Sequence, residues 1–216
     1  MTSTAKNKQS GRIWLFAAAV LLFTAVVMFV FIRQDSGPDD TVFVFIAPYR
    51  TSGFTDIMNF ISFYGNHNFL VPANLLLVIY FFVKKNKPLA ILTLITALSS
   101  LGLMSLIKNM VQRHRPSDPL VAGVTNYSFP SGHAFMSVAF YGLLIWLVLT
   151  YTTQGWKQRA WVALLLLLIL IIGFSRIYLR MHYTSDVVAG LCLGTIWLLL
   201  LLTLADWWNN RRQKLV

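Results

Sequence analysis

Six apolar stretches, each near twenty residues, dominate this chain: approximately 13–32, 66–83, 88–107, 132–151, 160–178 and 187–205. About 20 apolar residues in a helix cross the roughly 30 Å of bilayer hydrocarbon. Only helices and closed barrels satisfy their backbone polar groups in lipid, and barrel strands alternate instead of running apolar. The expected fold class is therefore all-α, a six-transmembrane-helix bundle. Composition agrees, because only 12% of the 216 residues are charged, against about a quarter in soluble domains. At this length we expect one integral-membrane domain over 1–216.

The first run has basic residues before it, as a signal peptide does. Its apolar core is too long, and "FIRQDSG" offers no small-x-small cleavage site, so it reads as an uncleaved anchor. Six crossings place both ends of the chain on one side. That side collects Lys6, Lys8, Arg12, Lys84, Lys85, Lys87, Lys157, Arg159, Arg211, Arg212 and Lys214 against Asp206 alone. The positive-inside rule makes residues 1–12 and 206–216 cytoplasmic. Trp207 and Trp208 fit an aromatic belt where the last helix leaves the bilayer. A net charge of +11 spread over such loops is a topology signal, and no basic groove or stacking motif supports nucleic-acid binding.

The stretch 33–65 is less regular. "RQDSGPDD" reads as a polar, turn-rich loop. In "FTDIMNFISFYG", Phe54, Ile57, Met58 and Ile61 share one helical face. That suggests a short interfacial helix before the second crossing, with a ragged start to that crossing as the alternative. Cys192, the single cysteine, excludes an internal disulfide. It lies between Gly190 and Gly194, a small-xxx-small pair suited to close helix packing.

With this topology the loop between crossings three and four and the loop between crossings five and six, with the helix ends that flank them, open on the same, external face. They carry Lys108 with Arg115–Pro116, then Pro130–Ser131–Gly132–His133, then Ser175–Arg176 with His182 and Asp186. The spacings K-x6-RP, PSGH and SR-x5-H-x3-D resemble the three signature motifs of the type 2 phosphatidic acid phosphatase superfamily. That superfamily includes membrane lipid phosphatases, soluble acid phosphatases and vanadium haloperoxidases. The motifs match without a departure in spacing, and the six crossings resemble the membrane branch over most of the remaining chain.

The residue chemistry agrees with this resemblance. Lys108, Arg115 and Arg176 form a cationic clamp for the charge on phosphoryl oxygens, with the guanidinium forks suited to bidentate contact. Ser131 is placed as the N-cap of the fourth crossing, where the Gly132 and His133 amides point at an anion and Gly132 admits close approach. His182 and Asp186 are four apart, a spacing that lets the carboxylate face the imidazole at the start of a helix. The resemblance implies the roles: His182 as nucleophile forming a phosphohistidine, Asp186 as its orienter, His133 as general acid. It implies no metal and no cofactor, since the cations supply the positive charge. Arg113, His114 and Arg180 lie outside the motif positions and fit headgroup contact, field tuning or plain solvation. His67 reads as incidental.

The function implied is hydrolysis of the phosphate or diphosphate of a membrane lipid that enters from the bilayer. Phosphatidylglycerol phosphate, undecaprenyl diphosphate, phosphatidic acid and lipid A phosphates all present the same group. Transfer to another lipid would use the same intermediate, and a non-catalytic lipid-binding or transport protein is the alternative outside enzymes. Short loops resemble the compact bacterial members and point to the cytoplasmic (inner) membrane. A weak sequon at Asn126 leaves a eukaryotic glycoprotein open. Oligomeric state is not encoded in these patterns.

Overall fold

A computed structural model describes residues 3–33, 37–121 and 126–213. The described residues form helices and no strands. The helices are α1 (Ser3–Met28, continued by a π turn Phe29–Arg33), α2 (Gly37–Ile46), α3 (Ser52–Phe63), α4 (His67–Val83), α5 (Lys87–Val111), α6 (Gly132–Tyr151), α7 (Trp156–Tyr178) and α8 (Thr184–Gln213). Among the described residues, six spans are long and apolar enough to cross a membrane: Ser10–Ile32, Ser52–Val83, Lys87–Val111, Gly132–Tyr151, Trp156–Tyr178 and Thr184–Arg211. The protein is an integral membrane protein.

Local chemistry sets the helix starts. Thr51 Oγ1 accepts from the Phe54 amide at 3.3 Å, and Asn66 Oδ1 from that of Asn68 at 2.9 Å. Asn86 Oδ1 accepts from the Leu89 amide at 3.3 Å, and each bond satisfies a first-turn donor. Leu164, Leu167 and Leu170 on α7 are more than half exposed, as expected of a surface solvated by lipid tails.

α8 packs most extensively on α6 and then on α1, while α7 lies against α6 and α3. Gly190 and Gly194 explain the α6–α8 approach. A Cβ at Gly190 would sit 2.6 Å from the Ser131 carbonyl oxygen, and one at Gly194 2.9 Å from that of Phe135. The small-residue pair thus serves packing within the chain, with Cys192 buried between its members.

Arg12 near the start of α1 pairs with Asp206 near the end of α8 at 2.6 Å. The first part of α1 and the last part of α8 therefore share one end of the bundle. Asp186, twenty residues earlier on α8, lies about 30 Å away at the helical rise, roughly a hydrocarbon thickness.

One sequence reading changes, and one open choice is decided. Gly37–Asp40, expected in a polar loop, form the first turn of α2, with Asp39 and Asp40 where the helix dipole favours acids; residues 34–36 lie outside the described residues. The segment before the second crossing is a separate helix, α3, set off from α4 by the turn Tyr64–Asn66. Of its expected apolar face, Met58 is buried and Ile61 packs on the same core as Phe43, Ile46 and Tyr178, while Ile57 is half exposed.

Candidate active site

The three motif segments converge at the end of the bundle away from Arg12 and Asp206. α5 ends with Lys108 in its last turn, and Gln112 takes a left-handed conformation (φ 53°) that turns the chain across the bundle end. The Ser128 amide donates to the Arg113 carbonyl at 2.8 Å, pinning the two limbs of this loop together. The Ser131 amide donates to the Asp186 carbonyl at 2.9 Å, locking the start of α6 to the start of α8.

The end of α7 is wound tightly. The amides of Met181 and His182 both donate to the Arg176 carbonyl, at 3.0 and 3.2 Å, with Arg180 left-handed at φ 52°. This turn drives His182 inward to 1% exposure, beside Asp186 at 0%.

His182 Nδ1 lies 3.5 Å from Asp186 Oδ2. The pair meets as its spacing suggested, but the separation exceeds a direct hydrogen bond. The Ser128 hydroxyl lies between them: it donates to Asp186 Oδ2 and is 3.3 Å from His182 Nδ1. Asp186 Oδ2 also accepts from the Tyr183 amide at 3.0 Å, and Oδ1 accepts from Arg113 Nη1 at 2.6 Å. The other ring nitrogen, Nε2, is 3.5 Å from Arg115 Nη1.

Arg115 is held by Asn126, whose carbonyl accepts from Nε at 2.7 Å and whose side chain accepts from Nη2; Nη1 donates to the Met181 carbonyl. The Asn126 side chain is thus engaged by an arginine. Lys108 Nζ donates to the Tyr127 carbonyl. Arg176, 6% exposed, donates to Ser62 Oγ on α3, and its Nε bonds to nothing among the described residues. Ser131 is the residue before α6, but its hydroxyl makes no capping bond; fully buried, it is unpartnered among the described residues. First-turn amides of a helix lack intrahelical partners, so Gly132 and His133 open α6 with donors free for an anion.

His133 lies against the α3–α4 turn, where a Cβ on Gly65 would be 3.3 Å from its ring. Arg176, His182 and Arg115 act on it electrostatically, and so does His67, which the sequence reading set aside. All eight motif residues singled out from the sequence therefore occupy one end of the bundle.

Electrostatics favour an uncharged His182. Burial, with Arg115 and Arg176 adding to it, outweighs Asp186 and pushes its pKa down to about 3. Burial also lowers Arg115, an effect that the Asp186 charge opposes. A neutral imidazole, its Nδ1 against a hydroxyl–carboxylate pair and its Nε2 beside the Arg115 guanidinium, is equipped to attack an electrophile held as an anion.

The motif reading omitted three residues. Ser128 falls between motifs. Asp39, 3% exposed, accepts from the Ser185 amide at 2.9 Å, the Ser185 hydroxyl at 2.6 Å and Arg113 Nη2 at 3.2 Å. Arg113, read as a neighbour for headgroup contact, field tuning or plain solvation, faces inward: it joins Asp39 to Asp186 and stacks over Tyr183 at 4.3 Å. Its signal was the first-turn Gly-Pro-Asp-Asp pattern of α2, which supplies the second acid.

The family model of the PAP2 superfamily matches residues 88–210. The chain belongs to the PAP2 superfamily. Phosphatidylglycerophosphatase B of Bacillus subtilis is 25% identical over 169 residues, covering 76% of this chain and 82% of that protein. Undecaprenyl-diphosphatase of Sulfolobus acidocaldarius is 26% identical over 189 residues, covering 84% and 85%. In fold, this PAP2 protein is similar to the crystal structure of a transmembrane PAP2-type phosphatidylglycerolphosphate phosphatase from Bacillus subtilis. The TM-score is 0.76 at 21% identity, over 90% of this chain and 96% of the other. It is also similar to LpxE of Aquifex aeolicus, with a TM-score of 0.54 at 24% identity over 76% and 93%.

Proposed function

We propose that this PAP2 protein hydrolyses the terminal phosphate or diphosphate of a membrane lipid through a phosphohistidine on His182. The enzyme class, a lipid phosphatase, rests on the family and on the phosphatase relatives. One observation carries the mechanism: His182 is buried, with Nδ1 against Ser128 and Asp186 and Nε2 beside Arg115.

In the first step, phosphoryl oxygens lie among Lys108, Arg115, Arg176 and the first amides of α6, which neutralise the spreading charge. The Nε2 lone pair forms a P–N bond as the bond from phosphorus to the lipid oxygen breaks. His133 gives a proton to that leaving oxygen. In the second step water attacks phosphorus, His133 takes its proton, the P–N bond breaks and phosphate leaves. The Asp186 carboxylate balances the positive imidazole of the intermediate, and no step calls for a metal ion.

The site is assigned to the external face of a bacterial cytoplasmic membrane, with both chain ends cytoplasmic. Support comes from the basic residues gathered at the Arg12–Asp206 end and from the relatives' bacterial member. α3, which supplies Ser62 to Arg176, is assigned to the interface beside the site, where a lipid phosphate would arrive.

The test is phosphate release by detergent-purified protein with excess chelator, over phosphatidylglycerol phosphate, undecaprenyl diphosphate, phosphatidic acid and lipid A. Release from at least one lipid, undiminished by the chelator, is expected, and the fastest names the substrate. Labelled phosphate appearing only on an added lipid acceptor would make the enzyme a phosphotransferase. Release that stops with chelator would overturn the metal-independent step.

A further inference from the structure

Among the described side chains, two arginines at the site end of the bundle remain outside the cradle. Arg50 follows a short 3-10 turn, Ala47–Tyr49, and Arg180 follows α7. Tyr178 brings them together. Its hydroxyl donates to the Tyr49 carbonyl and accepts from the Thr51 amide, both at 3.3 Å, so it grips both neighbours of Arg50. Arg180 comes two residues after Tyr178, its guanidinium 5.2 Å over the Phe43 ring.

Arg50 Nε and Nη2 and Arg180 Nε are buried and bond to nothing among the described residues. Burial, and then the Arg180 charge, lower the pKa of Arg50. Two neighbouring cations with unsatisfied N–H groups are costly. A shared anion would reverse that cost.

Beside them runs an apolar cleft of about 420 Å³, walled by Phe45, Ile46, Tyr49, Phe54, Phe174 and Tyr178. Its size is that of a small-molecule site. Tyr49 and Tyr178 wall the cleft, and Arg50 and Arg180 follow them in the chain by one and two residues, so the segments that carry the two cations adjoin the cleft. An apolar slot with two arginines on the segments beside it is complementary to a molecule with a hydrocarbon chain and a phosphate head. The hydrogen bonds of Lys108, Arg115 and Arg176 run to Tyr127, Asn126, Met181 and Ser62, and none involves Arg50 or Arg180.

We propose that this is a second lipid site, which binds an anionic phospholipid without hydrolysing it: the phosphate is shared by Arg50 and Arg180 and a chain lies in the cleft. The bound lipid joins α2 and α3 to the end of α7, the same elements that deliver Asp39 and Ser62 to the cradle.

Native mass spectrometry of the full chain, titrated with phosphatidylglycerol or phosphatidylcholine of equal chains, tests this. The phosphodiester of phosphatidylglycerol offers no terminal phosphate to His182, so binding is read apart from turnover. Wild-type protein should bind phosphatidylglycerol about tenfold more tightly, with that preference falling as salt rises. Arg50→Gln with Arg180→Gln should lose the preference, and Arg50→Lys with Arg180→Lys should keep most of it. Equal binding of the two lipids by wild type, or a preference that survives the glutamine pair, overturns the proposal. So does displacement of the lipid by millimolar inorganic phosphate, which would indicate an anion site with no role for the chain. Should the glutamine pair not fold, the wild-type preference and its salt dependence decide alone.

Discussion

Arg113 Nη1 lies 2.6 Å from Asp186 Oδ1, while the opposite oxygen of the same carboxylate accepts from Ser128 and the Tyr183 amide. The carboxylate is thus held on both oxygens, and Asp39 holds Arg113 from behind at 3.2 Å. A buried carboxylate needs its charge compensated, or it will take up a proton.

Removing that compensation should disable the site without emptying it. Leaving one partner of a buried pair uncompensated costs about 3 kcal/mol. Arg113→Ala is expected to lower kcat about 100-fold, with KM much less affected, and Arg113→Lys should recover part of the loss. Steady-state kinetics on the fastest lipid check this. An unchanged kcat would make the Asp39–Arg113–Asp186 chain structural only.

His182 sets a pH dependence whose sign is fixed by burial. Its folded pKa of about 3 lies below the ordinary value of 6.5, so the unfolded chain takes up the proton first as pH falls. The stability it contributes is complete above pH 6.5 and is lost progressively as pH drops toward 3. The thermal midpoint in detergent should therefore decline between pH 6.5 and 4, and less steeply in His182→Gln. Equal slopes would contradict a buried neutral imidazole. For the same reason, protonation of His182 should not produce an acid limb of kcat/KM near pH 6.5.

The α6–α8 contact gives a packing test. Gly190→Ala places a methyl 2.6 Å from the Ser131 carbonyl, a backbone atom that cannot yield cheaply. Overpacking of this kind costs about 1–3 kcal/mol, and it displaces the start of α6. Both the thermal midpoint and the activity should fall. Gly102→Ala is the control, since nothing lies within 4 Å of a Cβ there; equal effects from the two would refute the close-approach role of Gly190.

The spans and the motif residues that meet at one end of the bundle were legible in the sequence because both are written locally. Twenty apolar residues announce a crossing wherever they lie, and Lys108, His133 and His182 carry their meaning in short fixed spacings. What escaped was long-range or disguised. Arg113 meets acids 73 and 74 residues away, which no periodicity reports. Ser128 is one serine among many until the loop folds it between His182 and Asp186. Gly37–Asp40 reads as a turn by composition, although Pro near a helix start with acids after it is equally the opening of α2. His67 became relevant only when the α3–α4 turn placed it near His133.

The covalent intermediate is the central claim, and it is open to direct capture. Protein mixed with lipid labelled in its terminal phosphate and quenched within milliseconds should carry an acid-labile phosphoryl group on His182. His182→Ala should carry none and lose about 8 kcal/mol of transition-state stabilisation. Label on any other residue, or near-normal phosphate release by His182→Ala, would contradict the account.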